Sequence, residues 1–288
     1  MLDLTAYFDE TGHADDPVLN FAGMAGFVAP RGRWLNFDDQ WNDTLSNAGL
    51  SDPFHMKEFA HSTGQFKSWK KCEDKRRQLL SRLVEIVRET KATPIGAAVS
   101  LRAFETLTPT QQSEFRDPYY ICFQTCTRGA AIETVFEEPS EKVAMVYAFN
   151  EEYGTANAHN GAEALWHAMK KYVTLDCNMG SRMGSYESST PADASPLQAA
   201  DLFAYELCHE FENRIKRPCD KMRWGLRQIL RMCTIPIPQI ILFDRKELLR
   251  RILESHWHDR TGVEEVSNSQ MHSAQEAMMA WLVERREL

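Results

Sequence analysis

The chain has 288 residues, of which 43% are hydrophobic and 26% charged, with a formal net charge of −8 at neutral pH. These proportions suit a globular protein with a real core and exclude a disordered or fibrous class. No apolar run approaches the roughly 18 residues that a membrane-spanning helix needs, and the opening MLDLTAYFDE lacks the basic and apolar regions of a signal peptide, so a cytoplasmic protein without membrane contact is expected.

Leu2, Leu4, Ala6 and Phe8 alternate with Asp3, Thr5, Tyr7 and Asp9, which predicts a strand over 2–9 with Asp9 at its C-terminal end. A polar turn over 13–17 leads to a second, mostly apolar strand over 18–28 containing Gly23 and Gly26. The two strands predict an antiparallel hairpin. Helical spacing over 32–48 and 69–90 is separated by an irregular segment carrying Phe54-His55-Met56-Lys57-Glu58-Phe59. A third strand is expected over 92–101, a helix over 119–137, and then Val143 to Phe149, apolar on both faces and so expected in the middle of a sheet covered by helices. Asn150-Glu151-Glu152 closes that strand.

A helix over 162–172 and a fifth strand over 184–188 precede a marked helix start. Ser195 stands as N-cap, Pro196 at the first helical position and Gln198 three residues after the cap, the pattern of a capping box. That helix should reach about Arg214, followed by a basic helix, a Pro-interrupted apolar stretch over 235–243, a short helix, a polar linker over 259–269 and a final helix. The order predicts an α/β fold with a mixed sheet flanked by helices. One domain over 1–214 and a mostly helical extension over 215–288 packed on it are expected. The extension, rich in Met and Trp, offers a surface for a partner or a second copy.

The seven cysteines are scattered and lie mostly in apolar stretches, which predicts buried thiols. Cys122 and Cys126 share a helix face without a second pair of zinc ligands, so core packing is expected of them. His256 and His258 are too isolated for a metal site. Two basic segments stand against the acidic average, one from Lys67 to Arg82 and one from Arg214 to Arg231. Each reads either as a solvated helix face or as a phosphate contact.

Asp201 is the most informative residue, because Leu197, Ala204, Tyr205 and Cys208 place it on an apolar helix stripe. A carboxylate there is costly unless it is paired or holds a cation. A salt bridge, or an acid at a helix N terminus, is the competing account. Asp9 and Glu151 each close a strand. Three carboxylates converging on one sheet edge repel unless a divalent cation shares them, and hard oxygen ligands select Mg2+ or Mn2+. Such a site can hold two ions and hydrolyse a phosphodiester. His55 reads either as a proton shuttle or outer ligand, or as an ordinary loop histidine. Glu10 and Glu58 are candidate assistants, and Glu187 could face the same edge from the fifth strand.

Three segments carry a resemblance to the family catalogued as domain of unknown function 3800. Tyr7-Phe8-Asp9-Glu10-Thr11-Gly12 resembles its N-terminal DESG signature with Thr11 for the usual serine, Phe54-His55 its mid-chain fH element, and Leu197-Gln198-Ala199-Ala200-Asp201-Leu202-Phe203-Ala204 its LQxADlxA helix. The likeness covers roughly residues 3–212. It implies a ribonuclease H-like fold, with a mixed five-stranded sheet carrying acids on the first and fourth strands and on a late helix, here Asp9, Asn150-Glu151 and Asp201. It also implies a bacterial or phage setting in defence or mobile elements. The expected activity is a Mg2+- or Mn2+-dependent nuclease acting on RNA or DNA, with Asp9, Glu151 and Asp201 as metal ligands. The alternative is a module that keeps the fold and binds nucleic acid or protein without catalysis. One departure separates them: an aspartate often ends the fourth strand in this family, where the chain has Asn150, so Glu151 substitutes only if a local turn re-aims it.

Overall fold

Alternating side chains at the start of the chain form strand β1 (Leu4–Thr11), which pairs antiparallel with β2 (Phe21–Pro30). The computed structural model describes residues 4–11, 20–115, 117–137, 142–148, 163–170, 182–217, 221–231 and 239–252. The expected hairpin pairing is present, but β1 does not end at Asp9. Glu10 and Thr11 stay in the ladder, opposite Met24 and Gly23.

β3 (Thr93–Ser100) adds antiparallel to β2, while β4 (Val143–Ala148) runs parallel to β1 and β5 (Met183–Ser189) parallel to β4. A sixth strand, β6 (Gln239–Phe243), pairs parallel with β3, giving the order β5-β4-β1-β2-β3-β6. Two expectations are corrected here. Among the described residues the sheet has six strands, because part of the Pro-interrupted apolar stretch is extended and covers the β3 edge, so the sheet continues past the boundary expected at 214. And β4 lies one strand in from the β5 edge; β1 and β2 hold the centre. β4 is apolar on both faces because both are covered, with Val143, Met145, Val146 and Tyr147 all buried.

Helix α1 (Arg31–Asn47) follows β2 directly. The segment expected to be irregular contains α2 (Met56–His61), and a 3-10 helix (Gly64–Trp69) precedes α3 (Glu73–Thr90). The helix expected from residue 69 thus begins at Glu73: Lys71 has φ 75°, a left-handed conformation that no α-helix accommodates. Then come α4 (Leu101–Glu105), α5 (Pro109–Phe115), α6 (Pro118–Glu137), α7 (163–170), α8 (Ser195–Lys216), α9 (Trp224–Leu230) and α10 (245–252). The linker over 259–269, the final helix, His256, His258, Cys177, Cys219 and Cys233 lie outside the described residues.

Each face of the sheet carries its own core. On one, Leu4, Ala6 and Phe8 pack with Cys122, Phe123 and Cys126 of α6 and with residues of α7 and α10. On the other, Phe27 and Ala25 pack beneath α8, with α1, α2, α3 and α9 around it. Cys122 and Cys126 are buried, their sulfurs 3.5 and 3.4 Å from the carbonyls of Ala22 and Met24, and burial pushes both thiols up in pKa. They are neutral core groups. Among the described residues no helix is long and apolar enough to cross a membrane.

Candidate functional site

Small side chains let α8 settle low on the sheet. In one cross-strand row Asp9 lies opposite Ala25, and Ala25 opposite Gly96. A Cβ on Gly96 would come within 2.7 Å of Leu207 Cδ2, and one on Gly23 would overlap Cys208 Sγ. At these positions the bare sheet backbone therefore packs directly against side chains of α8. From Ser195 to Glu210, all but Asp201 and His209 are buried. The apolar stripe read around Asp201 is part of a helix enclosed over most of its circumference.

The expected capping box is not formed. Ala194 is the N-cap and its side chain makes no capping bond, while Ser195 Oγ donates to Asn42 Oδ1 at 3.1 Å. Gln198 turns instead to two buried donors, accepting at Oε1 from Trp41 Nε1 (2.9 Å) and from the Phe54 backbone N–H (2.8 Å). Its Nε2 donates to the Pro191 carbonyl at 2.7 Å. Buried donors need partners, and this one side chain supplies two of them. Gln198 thereby fixes the backbone that presents His55.

One residue further on, the Met56 N–H donates to Asp201 Oδ2 at 2.7 Å, and His55 Nδ1 stands 3.8 Å from the same oxygen. The Asp201 side chain is 16% exposed and that of His55 46%. Burial pushes the Asp201 carboxyl up to about 6, against the lowering effects of the Met56 N–H and of His55. Asp9, on the same face as Tyr7, is held well above the ordinary carboxylate range, first by burial, then by the charge of Asp201, then by that of Glu10. A bond from the Glu10 N–H to Asp9 Oδ1 (2.8 Å) works in the opposite direction. The charge of Asp201 on α8 thus opposes the ionisation of Asp9 on β1. One oxygen of each is tied by a backbone N–H, and the other accepts nothing from a described residue.

The remaining candidates fall around this pair. Strand alternation turns Glu10 to the α6 face, where burial first and the Glu10 charge after it raise the pKa of Tyr119; Tyr186 is pushed up to about 12 chiefly by burial, with Glu163 and Glu10 adding to it. Glu58 lies against Gly64 of the 3-10 helix. Glu187 is exposed on β5, level with Val146 and hence with Tyr7, whose pKa is raised first by burial, then by the charge of Asp38 and then by that of Glu187. Glu151 lies outside the described residues. β4 runs parallel to β1 with Tyr147 opposite Phe8, so its last described residue, Ala148, is at the level of Asp9. Among the described residues no three His, Cys, Asp or Glu side chains form a ready metal-holding group.

Sequence reasoning missed the Met56 N–H, which as a backbone group leaves no signal, and misassigned Gln198. A lone amide in the apolar run Leu197 to Ala204, three residues before the acid, was the signal for the latter. Neither models of protein families nor the curated proteins give a match to this chain.

Proposed function

We propose that the chain is a nuclease of the ribonuclease H-like class that uses Mg2+ or Mn2+, with Asp9 and Asp201 as metal ligands and Glu151 as the third acid. The observation that carries this reading is the convergence of three segments far apart in sequence. The end of β1, the Phe54-His55 entry to α2 and the Leu197 to Ala204 turns of α8 are the segments that resemble the family catalogued as domain of unknown function 3800. They meet around two carboxylates whose proximity raises the cost of ionising Asp9. The mixed sheet, with one acid on its first strand and another on a late helix, supports the fold class.

The donor set fits a hard divalent cation. Two carboxylates each keep one oxygen unengaged by described residues, and neither has a paired Lys or Arg among them to neutralise it. A cation shared by both would offset the repulsion that now raises the Asp9 pKa. When bound, it would activate a water and stabilise the leaving oxygen of a phosphodiester. The protein's own part is to hold the two acids: the Met56 and Glu10 N–H groups orient them, and Gln198 keeps the His55 segment against α8. His55, half-exposed beside Asp201, is placed for proton transfer with solvent.

The test is an assay of the purified protein on RNA, single-stranded DNA, duplex DNA and RNA/DNA hybrid with Mg2+ or Mn2+. Cleavage of at least one substrate is expected, with a loss of 100-fold or more in Asp201→Ala, about the effect of removing a preorganised charge from a catalytic site. No cleavage of any substrate, or cleavage unchanged in the variant, overturns the reading and leaves a binding module.

A further inference from the structure

The two basic segments of the sequence have different fates in the fold. In the second, Arg214 Nε lies 2.6 Å from Glu210 Oε1, Lys216 Nζ 2.6 Å from Glu212 Oε1, and Arg223 forks onto Glu206 through Nε and Nη2 at 3.1 and 2.6 Å. These cations hold α8 and the chain after it together. In the first, Arg76 is likewise engaged, donating to the carbonyls of Phe59 and Ala60 at 2.8 and 3.1 Å and meeting Glu73. Lys67, Lys70, Lys71, Lys75 and Arg77 differ: all five are exposed, and none pairs with an acid among the described residues.

Their support is packed. Trp69 is 4% exposed, with Lys75 Nζ 3.9 Å above its ring, and it meets Phe66 edge-on at 5.5 Å. Phe66 in turn meets Phe59 and Phe54, the residue before His55. The turn that presents Lys70 and Lys71 accepts a left-handed backbone at Lys71. This surface is also tied to the acids. α2 begins with the Met56 N–H on Asp201, and Arg76 grips the carbonyls of its last turn. Its six residues span about 9 Å, well inside the roughly 34 Å of one duplex turn.

We propose that Lys67, Lys70, Lys71, Lys75 and Arg77 bind the phosphate backbone of a nucleic-acid duplex, without regard to sequence, beside the bond presented to Asp9 and Asp201. The position of that bond rests on the nuclease reading above. Five unneutralised cations on a chain of net charge −8 match a dense, regular polyanion. The rings of the patch, Phe66 and Trp69, are buried and offer no platform for stacked single-stranded bases. The exposed large hydrophobics among the described residues are Leu35, Ile215 and Trp224, none of them in the patch, so it lacks the apolar centre of a protein interface.

Binding of a fluorescein-labelled duplex of about 20 base pairs tests this by anisotropy over a range of salt, using the full chain with Asp201→Asn in EDTA so that no cutting intervenes. In Lys67→Gln/Lys70→Gln/Lys75→Gln, the slope of log affinity against log salt should fall by about 3, and affinity at 0.1 M salt by 10-fold or more. Lys71→Gly removes a charge where the backbone favours glycine, so it should lower the slope by about 1 with the fold intact. A bound duplex should also slow alkylation of the exposed Cys72. The proposal is overturned by unchanged slopes, by tighter binding of the single strand, or by equal binding to vesicles of anionic lipid. Loss of duplex binding in the triple variant of a protein that cuts nothing keeps the patch and sinks the nuclease reading. Metal-dependent cutting with unaltered binding does the reverse.

Discussion

Ionising Asp201 inside the fold costs free energy, since burial lifts its carboxyl from 3.8 to about 6. The neutral form is favoured in the folded state. Below about pH 3.8 the carboxyl is protonated in both states and the penalty is absent; it grows as pH rises from 3.8 to 6 and is complete above 6. Asp201→Asn removes the titration, so the variant should match the wild type near pH 4 and exceed its stability at pH 7.5 by on the order of 2 kcal/mol. Urea midpoints at both pH values measure this, and a constant difference would rule out the raised carboxyl. Added Mn2+ should raise the wild-type melting temperature at pH 7.5 and leave the variant where it is. Gln198 gives a second prediction. Gln198→Ala strands the Trp41 Nε1–H and the Phe54 N–H without their acceptor, which should cost on the order of 3 kcal/mol and lower activity by releasing the His55 segment. The enclosed position of Asp201 was legible because a charge in an apolar run is conspicuous. Gln198 was misread because a local pattern, the capping box, explained it first, whereas its true partners lie 144 and 157 residues away.

At the scale of elements, the distance between helix and sheet decides whether the two acids can meet. α8 rests on Gly23, Ala25 and Gly96, and Asp201 reaches toward Asp9 only from that depth. Gly23→Ala drives a methyl into Cys208 Sγ and the Ala97 carbonyl, so it should destabilise by about 1–3 kcal/mol. Adding Cys208→Ala vacates the space and should restore part of the loss, a coupling that a double-mutant cycle reads directly. Strict additivity of the two substitutions would show that α8 does not sit this low. The elements themselves were readable from period and punctuation: the alternation of β1, the double-sided apolarity of β4 and Pro196 at the start of α8 all mark real strands and helices. Their ends were not. β1 runs on to Thr11 because the facing strand keeps pairing with it, and α3 starts at Glu73 because Lys71 turns left-handed, both set by neighbours and not by local composition.

For the whole molecule, the sixth strand makes the C-terminal part of the sequence structural. β6 is five residues long, follows a stretch broken by Pro236 and Pro238, and pairs with a strand far earlier in the chain, so nothing local announced it. Pairing of this kind depends on which edge the finished sheet leaves open. That edge is β3, whose residues are buried throughout. A chain ending at residue 232 would expose β3 along its length and remove Phe243 and Leu248 from the core shared with α6. Losing two buried side chains of this size costs on the order of 5 kcal/mol, and an uncovered apolar edge invites pairing between copies. The shortened chain should therefore melt at a markedly lower temperature and give larger species by light scattering than the full chain. Should it stay the same size as the full chain and melt with it, the five strands from β1 to β5 would be a complete fold and β6 an addition. The assay of cutting then decides between stability and chemistry, because β6 lies at the opposite side of the sheet from β4, separated from β1 by β2 and β3. Activity per folded molecule should survive the truncation even as the folded fraction falls.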